Sequence, residues 1–229
     1  MIQAVFFEFD GVLADTRDAR RVALLDALEE DGVALTDAEY DECCANRSVR
    51  AAVEAAFARR EFHADDTAID LASARAERRF SRSAEAGLTL CVGVRGLIES
   101  MQGQTRLGIV SRAGRRDIDT TLALAQLDHA FEFVISGDDP HLPKPSAEPY
   151  RAAVDRLARR RVVPATNVVA LEDGAAGIRA AKAAGLRCAV VGDVAPHVAM
   201  EADALIPSLV GLTAASLDAV TLGEHTAGR

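Results

Sequence analysis

The chain has no tryptophan and only two tyrosines, and aromatic residues make up 4% of it. Nucleobases and single strands are commonly held by stacking on aromatic faces, so a stacking pocket is not what this composition favours. Cysteine is scarce as well. Cys43, Cys44, Cys91 and Cys188 show none of the spacings of a structural metal site, and an adjacent pair cannot close an ordinary unstrained disulfide. No apolar run approaches the ~20 residues that cross a bilayer, and no basic segment followed by a small-residue cleavage site opens the chain. A reducing, cytoplasmic setting is expected. Basic charge is the minority sign, 26 Lys and Arg against 35 Asp and Glu, for a formal net charge of −9. Nucleic acid and anionic membrane both demand basic surface, so neither is an expected partner. Internal repeats and low-complexity tracts are absent too.

What is present is a core-forming chain of 229 residues, 49% of them apolar, enough for one large domain or a core domain with a modest insertion. Short, nearly continuous apolar runs recur: IQAVFFEF (2–9), RLGIVS (106–111), FEFVIS (131–136), NVVAL (167–171), RCAVVG (187–192) and ALI (204–206). Continuous rather than alternating hydrophobicity marks strands covered on both faces. Segments 94–102, 146–160 and 174–184 carry apolar residues at helical spacing, and Gly185 reads as a helix stop. Strands alternating with helices specify an α/β fold with a doubly wound parallel sheet. Residues 17–88 break the series. They are rich in Ala, Arg, Glu and Leu, with no strand pattern, and read as a helical insertion after the first strand. The expected division is 1–16 with 89–229 as the core and 17–88 as the insertion, which would hang over the sheet edge. The tail past about residue 221 is expected to fray.

In open α/β sheets ligands bind outside the carboxyl ends of the strands. Past the first strand come Glu8 and Asp10, past the second Ser111, past the third a loop with Lys144, and past the fourth Glu172 and Asp173. Carboxylates suit a hard divalent cation, and a hydroxyl and an ammonium suit phosphoryl oxygens. Each has a duller alternative. Glu8 and Asp10 could be a solvated strand end, Ser111 a helix cap, Lys144 an exposed turn between prolines, and Glu172–Asp173 an N-terminal helix pair. Asp138 and Asp139 read as turn residues, and the five histidines as structural or surface.

From end to end, the series resembles the haloacid dehalogenase superfamily, in the branch of phosphoglycolate phosphatase and beta-phosphoglucomutase. FEFDGVLADT resembles its first motif, Ser111 the second, Lys144 in KPSAEPY the third, and LEDGAAGIRAAKAAG the fourth. The resemblance implies a Rossmann-like core with a small helical cap at 17–88. It also implies a Mg2+-dependent hydrolase of a small phosphorylated metabolite, acting through an acyl-phosphate. Asp10 would protonate the leaving oxygen and then activate water; its presence points to phosphoester chemistry. Ser111 and Lys144 would hold the transferred group. Glu8, Glu172, Asp173 and the backbone carbonyl of Asp10 would hold magnesium. ANRSVRAAV (45–53) resembles the substrate-facing cap loop, so Arg47 or Arg50 would meet an anionic group, with Arg20 a weaker candidate; arginines on a charged helix face are the alternative. Arg112 would add a phosphate contact or lie in solvent. The expected assembly is a monomer or homodimer.

One residue departs from that pattern. The family nucleophile is an aspartate, and here it is Glu8. One added methylene moves the carboxylate by about 1.5 Å, and a misplacement of about 1 Å can slow in-line attack on the order of a hundredfold. The fourth motif differs too: Gly174 stands where a serine is common. A hydrolase slowed by Glu8 is therefore the expectation. A phosphosugar mutase and a catalytically silent binder of a phosphorylated ligand or a protein are its rivals.

Overall fold

The computed structural model describes residues 1–45 and 47–223; Asn46, within the 45–53 stretch, and the last six residues of the expected frayed tail lie outside the described residues. Contacts divide the chain into two units, Met1–Asp15 with Thr89–Arg229, and Thr16–Leu88. The strands are β1 (Ala4–Phe7), β2 (Ala14–Asp15), β3 (Thr89–Leu90), β4 (Arg106–Val110), β5 (Phe133–Ile135), β6 (Val168–Glu172), β7 (Arg187–Val191) and β8 (Ala204–Ile206). Six of them form one sheet in the order β5-β4-β1-β6-β7-β8, every pairing parallel. This is the α/β fold with a parallel sheet that the apolar runs specify. The pair β2 and β3, joined antiparallel, was not expected: two residues per strand are too few for a periodic signal.

The helices are α1 (Arg17–Glu29), α2 (Asp37–Cys43), α3 (Val49–Arg59), α4 (Asp66–Ala86), α5 (Val94–Met101), α6 (Arg115–Leu124), α7 (Glu148–Ala158), α8 (Ala175–Ala183), α9 (Pro196–Ala199) and α10 (Ala214–Thr221). Successive strand residues point to opposite faces. Ala4, Phe6, Val168, Ala170, Cys188 and Val190 pack into one core with Tyr150, Leu157 and Ile178 of α7 and α8. Phe6 anchors it, edge-on to Phe133 at 5.6 Å and stacked on Tyr150 at 6.3 Å between ring centres. The alternate residues Val5, Phe7, Ile109, Val169, Leu171 and Ala189 are equally buried. With both faces covered, β1, β4, β6 and β7 show no polar alternation, which is why those runs read as continuous.

The second unit is all helix among the described residues, and its starts are locally encoded. Thr36 and Glu39 form a reciprocal cap on α2, while Ser48 and Asp65 accept from backbone amides of α3 and α4. Leu24, Leu28, Val53, Phe57, Ala72 and Ala76 form its core. The alanines let α1 and α4 approach closely. Gly87 closes α4 at a positive φ of 106°. Among the described residues, no helix is long and apolar enough to cross a membrane.

Replacing Phe6 removes an aromatic ring from the centre of the sheet core. Phe6→Ala is expected to lower stability by about 3–5 kcal/mol, and Val162→Ala, at an exposed site, by about 0.5 kcal/mol or less. Urea denaturation of the two variants checks this; equal losses would contradict the placement of the core.

Candidate active site

The sheet register brings two acids together. Phe7 pairs with Leu171, and the Glu8 amide continues the ladder by donating to the Leu171 carbonyl at 2.9 Å. Glu8 and Glu172 are therefore neighbours on adjacent strands. By the two-residue alternation both follow Phe6 and Ala170 toward the α7 side of the sheet. Both are buried, at 4% and 1% exposure. Two carboxylates side by side away from water repel strongly and require a cation.

Lys144 supplies it. Its Nζ donates to Glu8 Oε2 at 2.5 Å, to Glu172 Oε1 at 2.6 Å and to the Val110 carbonyl at 2.7 Å. All three ammonium donors are thus used, and the residue is 5% exposed. The other oxygen of Glu8, Oε1, accepts from the Ser111 hydroxyl and from the Phe9 amide, the latter at 2.7 Å. Ser111 follows β4 directly, and its Oγ also accepts from the Ala113 amide at 3.0 Å. Tyr150, fully buried in the first turn of α7, donates its hydroxyl to Glu172 Oε1, and the Lys144 ammonium lies 5.0 Å from its ring centre. The remaining oxygen of Glu172 faces Gly177 so closely that a Cβ there would lie 1.9 Å from it. That contact explains the glycine inside α8.

The charges follow from this geometry. Burial opposes ionisation of Glu8, but Lys144, Ser111 and the Phe9 amide outweigh it and hold its carboxyl below the usual range. Glu172 goes the other way: burial, together with repulsion from Glu8, raises it despite Lys144. Burial likewise works against the Lys144 charge, yet Glu172 and Glu8 hold the ammonium above its ordinary value. Asp173 is pushed up to about 8, first by desolvation and then by Glu8, Glu172 and Asp10. Since Asp173 is open to solvent, crowding by the other acids is the physical core of that shift. Asp10 is half-buried, in the turn where the Gly11 amide donates to Ala14 at 2.9 Å. Gly11 has φ +72°, and a Cβ on it would lie 3.1 Å from Asp173 Oδ2. The first and fourth motifs therefore meet at Asp10–Gly11 and Asp173.

Glu8, Ser111, Lys144 and Glu172 thus form one bonded cluster, with Asp10 and Asp173 beside it. Arg112 is exposed next to Ser111. The other arginines lie in the helical unit. Arg47 is exposed, while Arg50 donates to Glu54 at 3.0 Å, to Asp66 at 2.6 Å and to Asp70. Those three pairs fit the charged-helix-face reading of Arg50. Arg20 stacks over Phe80 at 3.8 Å. Asp138 and Asp139 serve turns, accepting from the Arg115 and Ser136 amides at 2.7 Å. Sequence reasoning missed Tyr150, Gly177 and the Val110 carbonyl. Tyr150 ends the KPSAEPY stretch that carries Lys144, and a rare tyrosine six residues past that lysine was the available signal.

Comparison with known proteins identifies the family and the fold. The family model described as haloacid dehalogenase-like hydrolase matches residues 5–191. Protein CbbY of Cereibacter sphaeroides is 32% identical over 200 residues, covering 83% of this chain and 84% of that protein. The crystal structure of CbbY from Rhodobacter sphaeroides in complex with phosphate superposes with a TM-score of 0.76 at 28% identity, over 95% of this chain and 100% of that one. A beta-phosphoglucomutase from Clostridium difficile gives a TM-score of 0.78 at 18% identity, over 97% and 98% of the two chains, and so shares the fold.

Two outcomes follow from the cluster. Gly177→Ala forces the Glu172 carboxylate aside, whereas Gly174→Ala meets no atom within 4 Å; thermal melting is expected to show a loss of about 2 kcal/mol or more for the first and little for the second. Equal melting temperatures would contradict the packing. The raised carboxyl of Asp173 also sets a sign. Between about pH 4, where an unfolded aspartate ionises, and about pH 8, only the unfolded chain has released this proton, so metal-free stability falls across that window. Asp173→Asn is therefore expected to gain on wild type from pH 4 to 8 in chelator, read by urea denaturation, and a constant difference would contradict the crowding.

Proposed function

The chain belongs to the haloacid dehalogenase-like hydrolase family, and we propose that it is a magnesium-dependent phosphatase of a small phosphorylated metabolite, with Glu8 as its covalent group. The observation that carries this reading is the placement of the Glu8 carboxylate between Ser111 and Lys144, a hydroxyl and an ammonium suited to phosphoryl oxygens. Supporting it, the related CbbY has been crystallised with phosphate and, as a variant, with xylulose-1,5-bisphosphate. A phosphorylated sugar is the substrate class those relatives suggest.

In the proposed reaction a Glu8 carboxylate oxygen attacks phosphorus as the bond to the leaving oxygen breaks, giving an acyl-phosphate. Asp10 donates its proton to that leaving oxygen. It then takes a proton from the water that attacks the acyl-phosphate, which frees phosphate and restores Glu8. Ser111 and Lys144 hold the phosphoryl oxygens during transfer, and Tyr150 and Glu172 keep the ammonium in place. Arg112, exposed beside Ser111, would meet a further anionic group of the substrate.

The residues fit a hard divalent ion by their chemistry. Two carboxylates, Glu8 and Glu172, share one ammonium, and burial with repulsion from Glu8, Glu172 and Asp10 raises Asp173 to about 8. Among the described residues, no three His, Cys, Asp or Glu side chains are gathered as a ready-made metal cage. Magnesium commonly takes only one or two carboxylates and keeps several waters. Glu8, Asp173 and the Asp10 carbonyl would hold it, with Glu172 committed to Lys144 and Tyr150. Bound there, magnesium would offset the repulsion between these acids and an anionic substrate.

A silent binder is the second reading, favoured by the full engagement of both Glu8 oxygens. The test is turnover of para-nitrophenyl phosphate with magnesium by wild type, Glu8→Asp and Glu8→Gln. Slow wild-type turnover, abolished in Glu8→Gln and raised roughly a hundredfold in Glu8→Asp, is the expected result. Activity that appears only in Glu8→Asp establishes the silent binder, and a Glu8→Gln rate equal to wild type ends the covalent reading.

A further inference from the structure

In the resting structure the two groups assigned to the phosphoryl group are already bonded to an anion, and that anion is part of the chain. Glu8 Oε1 takes the Ser111 hydroxyl and the Phe9 amide, and Oε2 takes the Lys144 ammonium. The cluster is nearly closed to water, with Glu8, Ser111 and Lys144 at 4%, 4% and 5% exposure. Lys144 has no further donor to offer, since Val110 and Glu172 take the other two.

We infer that the Glu8 carboxylate occupies the seat of the phosphoryl group, so that Glu8 itself sets how tightly the site binds phosphate-type oxyanions. The inference rests on the proposed phosphatase reading, because it takes Ser111 and Lys144 as the phosphoryl holders. A carboxylate and a phosphoryl face both present oxygens to converging donors, and charge-assisted bonds of this kind are short and strong. An incoming phosphate must therefore displace the side chain from three donors before it gains any of them. An aspartate arm is shorter by about 1.5 Å. Glu8 thus acts as a specificity-determining residue that doubles as an internal competitor. Free phosphate, the reaction product, binds weakly to wild type for the same reason.

Calorimetric titration of the full chain with orthophosphate in the presence of magnesium tests this. Wild type is compared with Glu8→Ala, with Glu8→Gln should the alanine variant melt early, and with Asp10→Asn. The last removes a carboxyl group from the same rim without freeing Ser111 or Lys144. Emptying the seat is expected to tighten phosphate binding by about a hundredfold, the worth of a charge-assisted hydrogen bond or more. Loss of charge alone is expected to give about fivefold or less. Adding Ser111→Ala to the Glu8 variant should cancel most of the gain. Equal, measurable binding by wild type and the Glu8 variants overturns the inference and leaves the phosphatase reading standing. So does an equal gain in the Glu8 and Asp10 variants, since charge alone then explains it. Absence of phosphate binding in every folded variant overturns both.

Discussion

The Lys144 ammonium between two buried glutamates is the interaction on which the rest of this site depends. The parallel register of β1 and β6 places Glu8 and Glu172 side by side, and burial makes that arrangement untenable without a positive charge between them. Lys144 is held in place by the Val110 carbonyl and faces the Tyr150 ring. Removing it would leave two adjacent, desolvated carboxylates at the centre of the sheet. The cluster is thus structural and chemical at once: what keeps the strand ends together also gathers the groups proposed to recognise phosphoryl oxygens.

Its two glutamates are treated differently. Glu8 is held ionised by three donors, while Glu172, deeper and bonded to Lys144 and Tyr150, is raised. Asp10 and Asp173 lie beside them, toward solvent. Crowding at the rim favours a cation there, and in the proposed reaction that cation and Lys144 together would offset the repulsion between these acids and an anionic substrate. Glu8 stands between Ser111 and Lys144, the proposed phosphoryl holders, and the acidic rim.

Much of this is legible in the sequence, for a physical reason. Strands buried on both faces read as unbroken apolar runs, and in a parallel sheet the chemistry follows their carboxyl ends, so Glu8, Asp10, Ser111, Lys144, Glu172 and Asp173 can be picked out by position alone. What escapes depends on contacts between distant segments. Tyr150 looks like a core aromatic until its hydroxyl is seen on Glu172. Gly177 looks like a helix defect until the carboxylate above it is seen. The β2–β3 pair is too short to have a period. The consequence of Glu8 is the subtlest case: its identity shows that the arm is longer, whereas only the structure shows that the added reach ends on Ser111 and Lys144.

The central claim is that Glu8 is a covalent group as well as an internal anion. Rapid acid quenching of wild type during turnover of para-nitrophenyl phosphate with magnesium, followed by peptide mass spectrometry, addresses it most directly. The account predicts a phosphoryl group on the peptide containing Glu8, absent from Glu8→Gln. Turnover with no phosphoryl group on that peptide, or with one on another residue, would contradict it.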